Sequence, residues 1–181
     1  GGLGNDILTD IFGDDDIKGG DGNDAISSGQ GFDLNQGGRG DDFIIGGSDP
    51  KENLGGPGND FLLGGTDIDD LHGNSGDDWI EGGPHPDALE GDSGAPIVGE
   101  DVDLDTPGHD VLIGGGGSDT SVGEGGDDII VVGPGVERNL GQFGFDWVTR
   151  SRSTIPRRRG CETPSRTCCR GSCRQAPASR R

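Results

Sequence analysis

Apolar residues recur at every ninth place along most of this chain. Divided into nines from residue 1, the sequence gives ten units up to Glu90, and after a break at residues 91–104 three more units end at Val131. The eighth residue is Ile or Leu in ten of these thirteen units. The exceptions are Asn35, Asn53 and Ser121. One apolar residue between two variable ones predicts a three-residue β-strand whose middle side chain points into a thin core.

A six-residue segment rich in Gly and Asp precedes each predicted strand. The units GGDGNDAIS (19–27) and GGRGDDFII (37–45) show the full pattern, in which Gly occupies the first, second and fourth positions and Asp the sixth. The sixth residue is Asp in twelve of the thirteen units, and Lys51 is the exception. Glycine adopts positive φ and lets the backbone approach an ion closely. The segment therefore predicts a sharp turn that presents one carboxylate per unit.

The composition indicates that something outside the chain must stabilise it. The protein has 40 Gly, a formal net charge of −20 and only 27% hydrophobic residues. Such a chain buries too little apolar surface to offset the conformational entropy lost on folding. Residues 1–150 hold 5 basic and 33 acidic residues, a net −28, which repels nucleic acid and attracts cations. No stretch is long and apolar enough for a membrane span.

The nonapeptide resembles the RTX (hemolysin-type) calcium-binding repeat, G-G-x-G-x-D-x-U-x, in which x is any residue and U is a large apolar residue. The resemblance covers residues 1–131. It implies an all-β fold, a right-handed parallel β-roll (a β-helix or solenoid) in which two units form one coil. It also implies that calcium ions lie between the turns of successive coils, held by sixth-position carboxylates and by backbone carbonyls of the Gly-rich turns. An all-oxygen ligand set suits Ca²⁺, whereas zinc prefers His and Cys.

The resemblance assigns the metal ligands by position. The candidate carboxylates are Asp6, Asp15, Asp24, Asp33, Asp42, Asp60, Asp69, Asp78, Asp87, Asp110, Asp119 and Asp128. The candidate backbone ligands are Gly1, Gly4, Gly19, Gly22, Gly37, Gly40, Gly55, Gly58, Gly73 and Gly76. Several Ca²⁺ ions are the expected cofactors.

Two units per coil imply two stacks of turns that differ in quality. The first stack consists of the units starting at residues 1, 19, 37, 55 and 73, all of which keep Gly at the fourth position and Asp at the sixth. The second stack consists of the units starting at 10, 28, 46, 64 and 82. Its fourth positions include Asp49, Asp67 and His85, and Lys51 puts a positive charge where a cation should bind. We expect well-formed sites in the first stack and weak or patchy binding in the second.

The predicted domain organisation has four parts. Residues 1–90 form the β-roll, 91–104 a loop that breaks the register, 105–149 a second repeat block of three units with a C-terminal cap, and 150–181 a basic tail. The tail contains all four Cys, at positions 161, 168, 169 and 173. It is interpreted as disordered or as a non-native reading frame. A basic arm for nucleic acid and a small disulfide knot are the alternatives.

The predicted function is calcium binding that drives the folding of a secreted bacterial protein, with an extracellular location and export by type I secretion. The partners expected are calcium ions and the remainder of a larger secreted parent. No residue of this chain is predicted to be catalytic. The stretches IKGGDGNDAI (17–26), GDDWIEGG (76–83), GHDVLIGG (108–115) and GPGVERNLGQFGFDW (133–147) resemble the C-terminal repeat region of large animal-type haem peroxidases of bacteria. The alternative is therefore a peroxidase fragment whose catalytic domain lies outside this chain, and an adhesin-like spacer is a third hypothesis.

Overall fold

The computed structural model describes residues 1–92, 108–135, 138–141 and 144–150, which form sixteen β-strands in two parallel sheets. The even sheet consists of β2 (Ile7–Thr9), β4 (Ala25–Gly29), β6 (Phe43–Gly47), β8 (Phe61–Gly65), β10 (Trp79–Gly83), β12 (Val111–Gly115), β14 (Ile129–Val132) and β16 (Trp147–Arg150). The odd sheet consists of β1 (Gly2–Leu3), β3 (Asp16–Asp21), β5 (Asp33–Arg39), β7 (Lys51–Pro57), β9 (Asp70–Ser75), β11 (Ala88–Glu90), β13 (Thr120–Val122) and β15 (Arg138–Leu140). Within these residues no helix has the length and apolar character needed to cross a membrane.

The chain advances by one coil every 18 residues. In the even sheet Ile26 pairs with Ile44, and Ile44 pairs with Leu62. In the odd sheet Leu34 pairs with Glu52 in the same way. Successive strands alternate between the two sheets, so the fold is a parallel β-roll and the predicted fold class is confirmed. The turns of the first stack line one long edge of the roll, and those of the second stack line the other.

The core between the sheets is one side chain thick. From β4 to β14 the eighth-position residues of the even sheet point inward and are at most 2% exposed, whereas Leu8 of β2 is partly buried. The buried residues are Ile26, Ile44, Leu62, Ile80, Leu112 and Ile130. They pack with Leu71 and Leu89 of the odd sheet, where the eighth-position residues Asn35, Asn53 and Ser121 are also buried. The predicted inward direction of this position is confirmed, including at its three polar exceptions.

The break in the nine-residue pattern at residues 91–104 does not interrupt either sheet. Trp79 of β10 pairs with Val111 of β12, which lies 32 residues later instead of 18. The predicted loop at 91–104 therefore falls between two neighbouring coils. Residues 93–107, which include most of that loop, lie outside the described residues.

Asp92 connects the two ends of this inserted segment through hydrogen bonds. Its Oδ1 accepts a hydrogen bond from the Gly108 amide at 2.6 Å, and its Oδ2 accepts one from the Gly125 amide at 2.9 Å. The side chain is buried, so both oxygens exchange water for backbone donors. Asp92 thus joins the two ends of the insertion and ties them to the next coil.

The roll continues beyond Val131, the last residue of the regular nonapeptide pattern. Thr120 of β13 pairs with Arg138 of β15, and Ile130 of β14 pairs with Val148 of β16. Two further strands therefore extend the two sheets through the segment predicted to be a cap. The tail from residue 151, predicted to be disordered or non-native, lies outside the described residues.

The outer face of the even sheet carries a row of aromatic side chains at the seventh position. Phe43 and Phe61 stack with ring centroids 5.2 Å apart, and Phe61 and Trp79 stack at 6.1 Å. Trp79 remains 41% exposed. These cross-strand contacts stabilise the pairing of β6, β8 and β10 from outside, as aromatic pairs do in sheets.

Candidate metal sites along the two edges of the roll

The sixth-position aspartates of the first stack form a continuous ladder. From Asp24 onward, the Oδ1 atom of each accepts a hydrogen bond from the backbone amide of the sixth-position residue one coil earlier. The N–O distances are 2.7 Å for the first four bonds and then 2.8, 3.0 and 3.3 Å. The members are Asp6, Asp24, Asp42, Asp60, Asp78, Asp110, Asp128 and Asp146. One oxygen of each carboxylate is thus used to join coils, and it fixes the direction of the other.

The second oxygen, Oδ2, is buried in this ladder and has no hydrogen-bond donor among the described residues. This applies to Asp24, Asp42, Asp60, Asp78, Asp110 and Asp128. A buried acceptor without a donor is costly, and in native proteins it usually marks an ion or a water that satisfies it. A row of such oxygens along one edge indicates a row of cation sites.

The first-position glycines form the other wall of each site. A Cβ atom added at Gly37 would collide with Asp42 Oδ2 and would lie 2.7 Å from the Gly55 carbonyl oxygen. A Cβ at Gly55 would meet Asp60 and the Gly73 carbonyl in the same way. The space needed for any side chain is therefore occupied by oxygen atoms of two successive coils. These oxygens are hard ligands of the kind that Ca²⁺ accepts.

The fourth-position glycines have a conformational role. Their φ angles in the first stack lie between +92° and +156°. They are Gly4, Gly22, Gly40, Gly58 and Gly76. An L side chain rarely adopts this region, so Gly at this position lets the turn direct its carbonyl along the edge.

Burial raises the pKa values of several carboxyls of this ladder. Burial and the neighbouring charge of Asp60 together raise the pKa of Asp78 to about 9. Burial likewise raises the pKa of Asp60 to about 8, although the amide of Asp42 donates a hydrogen bond that lowers it. For Asp110 burial raises the pKa to about 8. Without a bound cation such groups hold protons near neutral pH, and a divalent ion would displace those protons.

The side chains alone do not form a metal cage. Within the described residues, no group of three or more His, Cys, Asp and Glu side chains is placed to hold a metal ion. One carboxylate per coil is available at each site, so backbone carbonyls must supply most of the ligands. That requirement favours Ca²⁺, which accepts six to eight oxygens, and disfavours zinc.

The hydrogen-bond ladder of the second stack is interrupted. Its bonds join Asp15 to Asp33 at 3.0 Å, Asp69 to Asp87 at 3.0 Å, and Asp87 to Asp119 at 3.1 Å. Lys51 interrupts it, because its side chain has no acceptor to offer to the preceding coil. The Lys51 amide still donates to Asp69 Oδ1 at 2.9 Å. Every predicted carboxylate is therefore in a ladder, but only the first stack is continuous over the described residues.

Another ladder runs along the outside of the first edge, and the sequence did not predict it. The side chain at the fifth position of each first-stack unit accepts a hydrogen bond from the amide one coil later, opposite in direction to the Asp ladder. Asn5 Oδ1 accepts from the Asn23 amide at 3.0 Å, and Asn23 Oδ1 accepts from the Asp41 amide at 3.1 Å. The frequent Asn and Asp at this position provide the signal. This ladder fixes the coil spacing without a cation.

Asp146 is the ligand candidate that the sequence prediction missed. Its Oδ1 accepts from the Asp128 amide at 3.3 Å, and its Oδ2 lies against the position that a Cβ of Gly141 would take. The spacing of Gly141, Gly144 and Asp146 repeats the first, fourth and sixth positions in the nine-residue phase that ends at Val131. That spacing was the available signal, and the atypical strand residues around it concealed it.

A comparison with protein families assigns the chain. The family model described as the RTX calcium-binding nonapeptide repeat (4 copies) matches residues 1–34, 36–49, 54–89, 63–97 and 104–135. The chain belongs to the family of RTX calcium-binding nonapeptide repeats. The comparison with curated proteins returned no match. A β-roll made of RTX repeats is typical of non-catalytic calcium-binding domains, and the oxygens left without donors in this roll fit that metal. The peroxidase parent stays a prediction, to be tested by haem absorbance of the protein that contains this chain.

Proposed function

We propose that this RTX chain is a calcium-dependent folding module of a secreted bacterial protein, and that its ions lie between successive turns of the two edges. The observation that carries the proposal is the row of buried Asp Oδ2 atoms, which at Asp24, Asp42, Asp60 and Asp78 face the same space as a glycine carbonyl of the next coil. The sixth-position carboxylates listed above, together with Asp146, supply the charge. The carbonyls of the first- and fourth-position glycines supply neutral oxygens.

Calcium would act on the fold by neutralising and joining the coils. Asp42, Asp60 and Asp78 lie in one line at successive coils. Burial raises the pKa of each, and the charge of Asp42 adds to the rise at Asp60 as the charge of Asp60 does at Asp78. A divalent ion removes this repulsion and bonds oxygens of two coils at once. Its binding free energy then appears as folding free energy, because the unfolded chain has no such site.

The working compartment follows from the affinity of such sites. Extracellular calcium modules bind at about 10⁻⁴–10⁻³ M. A chain with sites of this class stays unfolded where free calcium is scarce and folds where calcium is plentiful. This behaviour suits a protein that crosses the cell envelope unfolded and folds outside. The absence of Cys from residues 1–150 is consistent with a secreted fold held by metal instead of disulfides.

Circular dichroism with controlled calcium tests the proposal. In EDTA at neutral pH we expect the spectrum of a disordered chain, and millimolar Ca²⁺ should produce a β spectrum reversibly. Magnesium at the same concentration is the control, and it should substitute poorly because it demands tighter octahedral geometry and loses water reluctantly. A folded spectrum in EDTA would contradict the proposal, and so would an equal response to both ions.

A further inference from the structure

Lys51 is a buried lysine at a position otherwise occupied by aspartate. It holds the sixth position of the unit that starts at Gly46, and it is 1% exposed. The other described basic residues, namely Lys18, Arg39, Arg138 and Arg150, are exposed. Burying an ammonium group is costly unless it is paired and hydrogen-bonded, so its surroundings must compensate the charge.

The ammonium lies between the turns of two successive coils. Lys51 Nζ donates to the Gly31 carbonyl at 2.5 Å and to the Asp49 carbonyl at 2.9 Å. It lies 3.2 Å from Asp33 Oδ2, and neither side chain of this ion pair is exposed. The ammonium thus contacts one carboxylate of the preceding coil and the fourth-position carbonyls of both coils. All three neighbours are oxygens, and each belongs to a position class that the calcium proposal uses.

Asp49 also joins the turn at residues 28–33 to the turn at residues 46–51. Its Oδ2 accepts a hydrogen bond from the Gly31 amide at 3.1 Å, although the fourth position is normally Gly. The two departures from the repeat, at Asp49 and Lys51, therefore act on the same pair of turns. One joins the turns through a carboxylate and the other through an ammonium.

We propose that the Lys51 ammonium takes the place of one calcium ion, so that the junction between turns 28–33 and 46–51 is closed by a cation belonging to the chain itself. The inference rests on the proposed calcium ladder and adds that this one junction binds no ion. A tethered ammonium costs less entropy to place than a free ion, and it stays in place when calcium is removed. The second edge then contains one coil junction that does not depend on calcium.

Ion counting on the full chain tests this inference directly. Lys51→Asp restores the repeat residue and should increase the number of bound Ca²⁺ ions by one, measured by native mass spectrometry in saturating calcium. Lys18→Asp is the matched control, because it makes the same change of charge at an exposed residue of the second-stack unit that starts at Asp10. It should leave the count at the wild-type value. An unchanged or lower count for Lys51→Asp would overturn the inference.

A second variant decides the matter if Lys51→Asp does not fold. Lys51→Met keeps most of the aliphatic stem and removes the charge, so Asp33 is left buried without its cation. Because breaking one side of a buried ion pair is strongly destabilising, the calcium midpoint of folding should rise by about twofold or more. A midpoint equal to that of the wild type would overturn the inference.

The two proposals fail in different ways. A wild-type chain that folds in EDTA would remove the calcium-dependent function. A wild-type chain that needs calcium, with variants of Lys51 that alter neither the ion count nor the midpoint, would remove only the role assigned to the ammonium.

Discussion

The two edges of the roll are made from the same nonapeptide, yet they are stabilised differently. Along the first edge every sixth residue is Asp, and the ladder runs without a break from Asp6 to Asp146. Along the second edge Lys51 interrupts the ladder, and its ammonium meets Asp33 and two carbonyls instead. On the calcium proposal, the first edge is the one that requires ions from outside the chain. The second edge supplies part of its own charge compensation.

The strands that follow these turns show the same contrast. The even sheet, which follows the first-stack turns, buries only Ile and Leu at the eighth position as far as Ile130. The odd sheet buries a polar pair, in which Asn35 Nδ2 donates to Asn53 Oδ1 at 2.8 Å and to Ser28 Oγ at 2.9 Å. Asn53 lies in the same unit as Lys51, and Asn35 lies one coil earlier. Residues that depart from the repeat are thus found where buried polar side chains form hydrogen bonds or ion pairs with one another.

The largest expected difference is between the core residues of the even sheet and those of the odd sheet. Leu62→Asn places an amide in the apolar row of the even sheet and should lower the free energy of unfolding by about 2 to 3 kcal/mol. The reverse change, Asn53→Leu, removes one acceptor of Asn35 and should cost only about 1 kcal/mol. Urea unfolding in saturating calcium measures both. Equal losses would show that the polar pair is no better accommodated than a new amide.

The next largest expected difference is between the carboxylates of the two edges, in their effect on the calcium midpoint of folding. Asp60→Asn keeps the Oδ1 acceptor of the ladder but removes the charge, and it should raise the calcium midpoint of folding by about tenfold, roughly 1.4 kcal/mol. Asp69→Asn should raise it less, because Asp69 lies next to Lys51 in the broken ladder. Asp33 is a poor comparator, since its removal would also leave the Lys51 ammonium without its carboxylate. A larger shift for Asp69→Asn would reverse the ranking of the two edges.

The smallest expected difference is an effect of pH in the absence of calcium. Burial raises the pKa of Asp60 from 3.8 to about 8 and that of Asp78 to about 9, so between pH 4 and 8 the folded chain binds more protons than the unfolded chain. The stability of the calcium-free roll should therefore increase as pH falls from 8 to 5 and be lost as pH rises through the folded pKa values. In the second stack, burial raises the pKa of Asp69 to about 6 and that of Asp87 to about 7, below the values of Asp60 and Asp78.

Circular dichroism in EDTA at pH 8 and pH 5 measures this effect. We expect a partial gain of β signal at pH 5, smaller than the gain produced by calcium. The double variant Asp60→Asn/Asp78→Asn should weaken this pH dependence more than Asp69→Asn/Asp87→Asn. Identical spectra at the two pH values would contradict the expectation.

Several features of the site were accessible from the sequence because they are periodic. Asp at the sixth position and Ile or Leu at the eighth predicted stacked carboxylates and a thin core, and both are found. The break in the second-stack ladder could be predicted from Lys51, whereas weaker ion binding along that edge stays a prediction. Asp146 was missed because only Gly141, Gly144 and the Asp itself keep the pattern, while the strand that follows them is atypical. Asp92 was missed because its partners Gly108 and Gly125 are brought to it only when the coils close.

The sequence by itself determined the period of the roll, the calcium-binding repeat family and the acidic edges, because a nine-residue repeat allows one register and puts like residues above one another. Only the tertiary structure decided what each irregular residue does. Lys51 reaches two carbonyls and Asp33, and Asn35 finds Asn53, because these contacts join residues one coil apart whose side-chain directions are fixed by packing. A repeat encodes the position of each backbone segment, whereas the partner of a buried polar group depends on the three-dimensional path of its side chain.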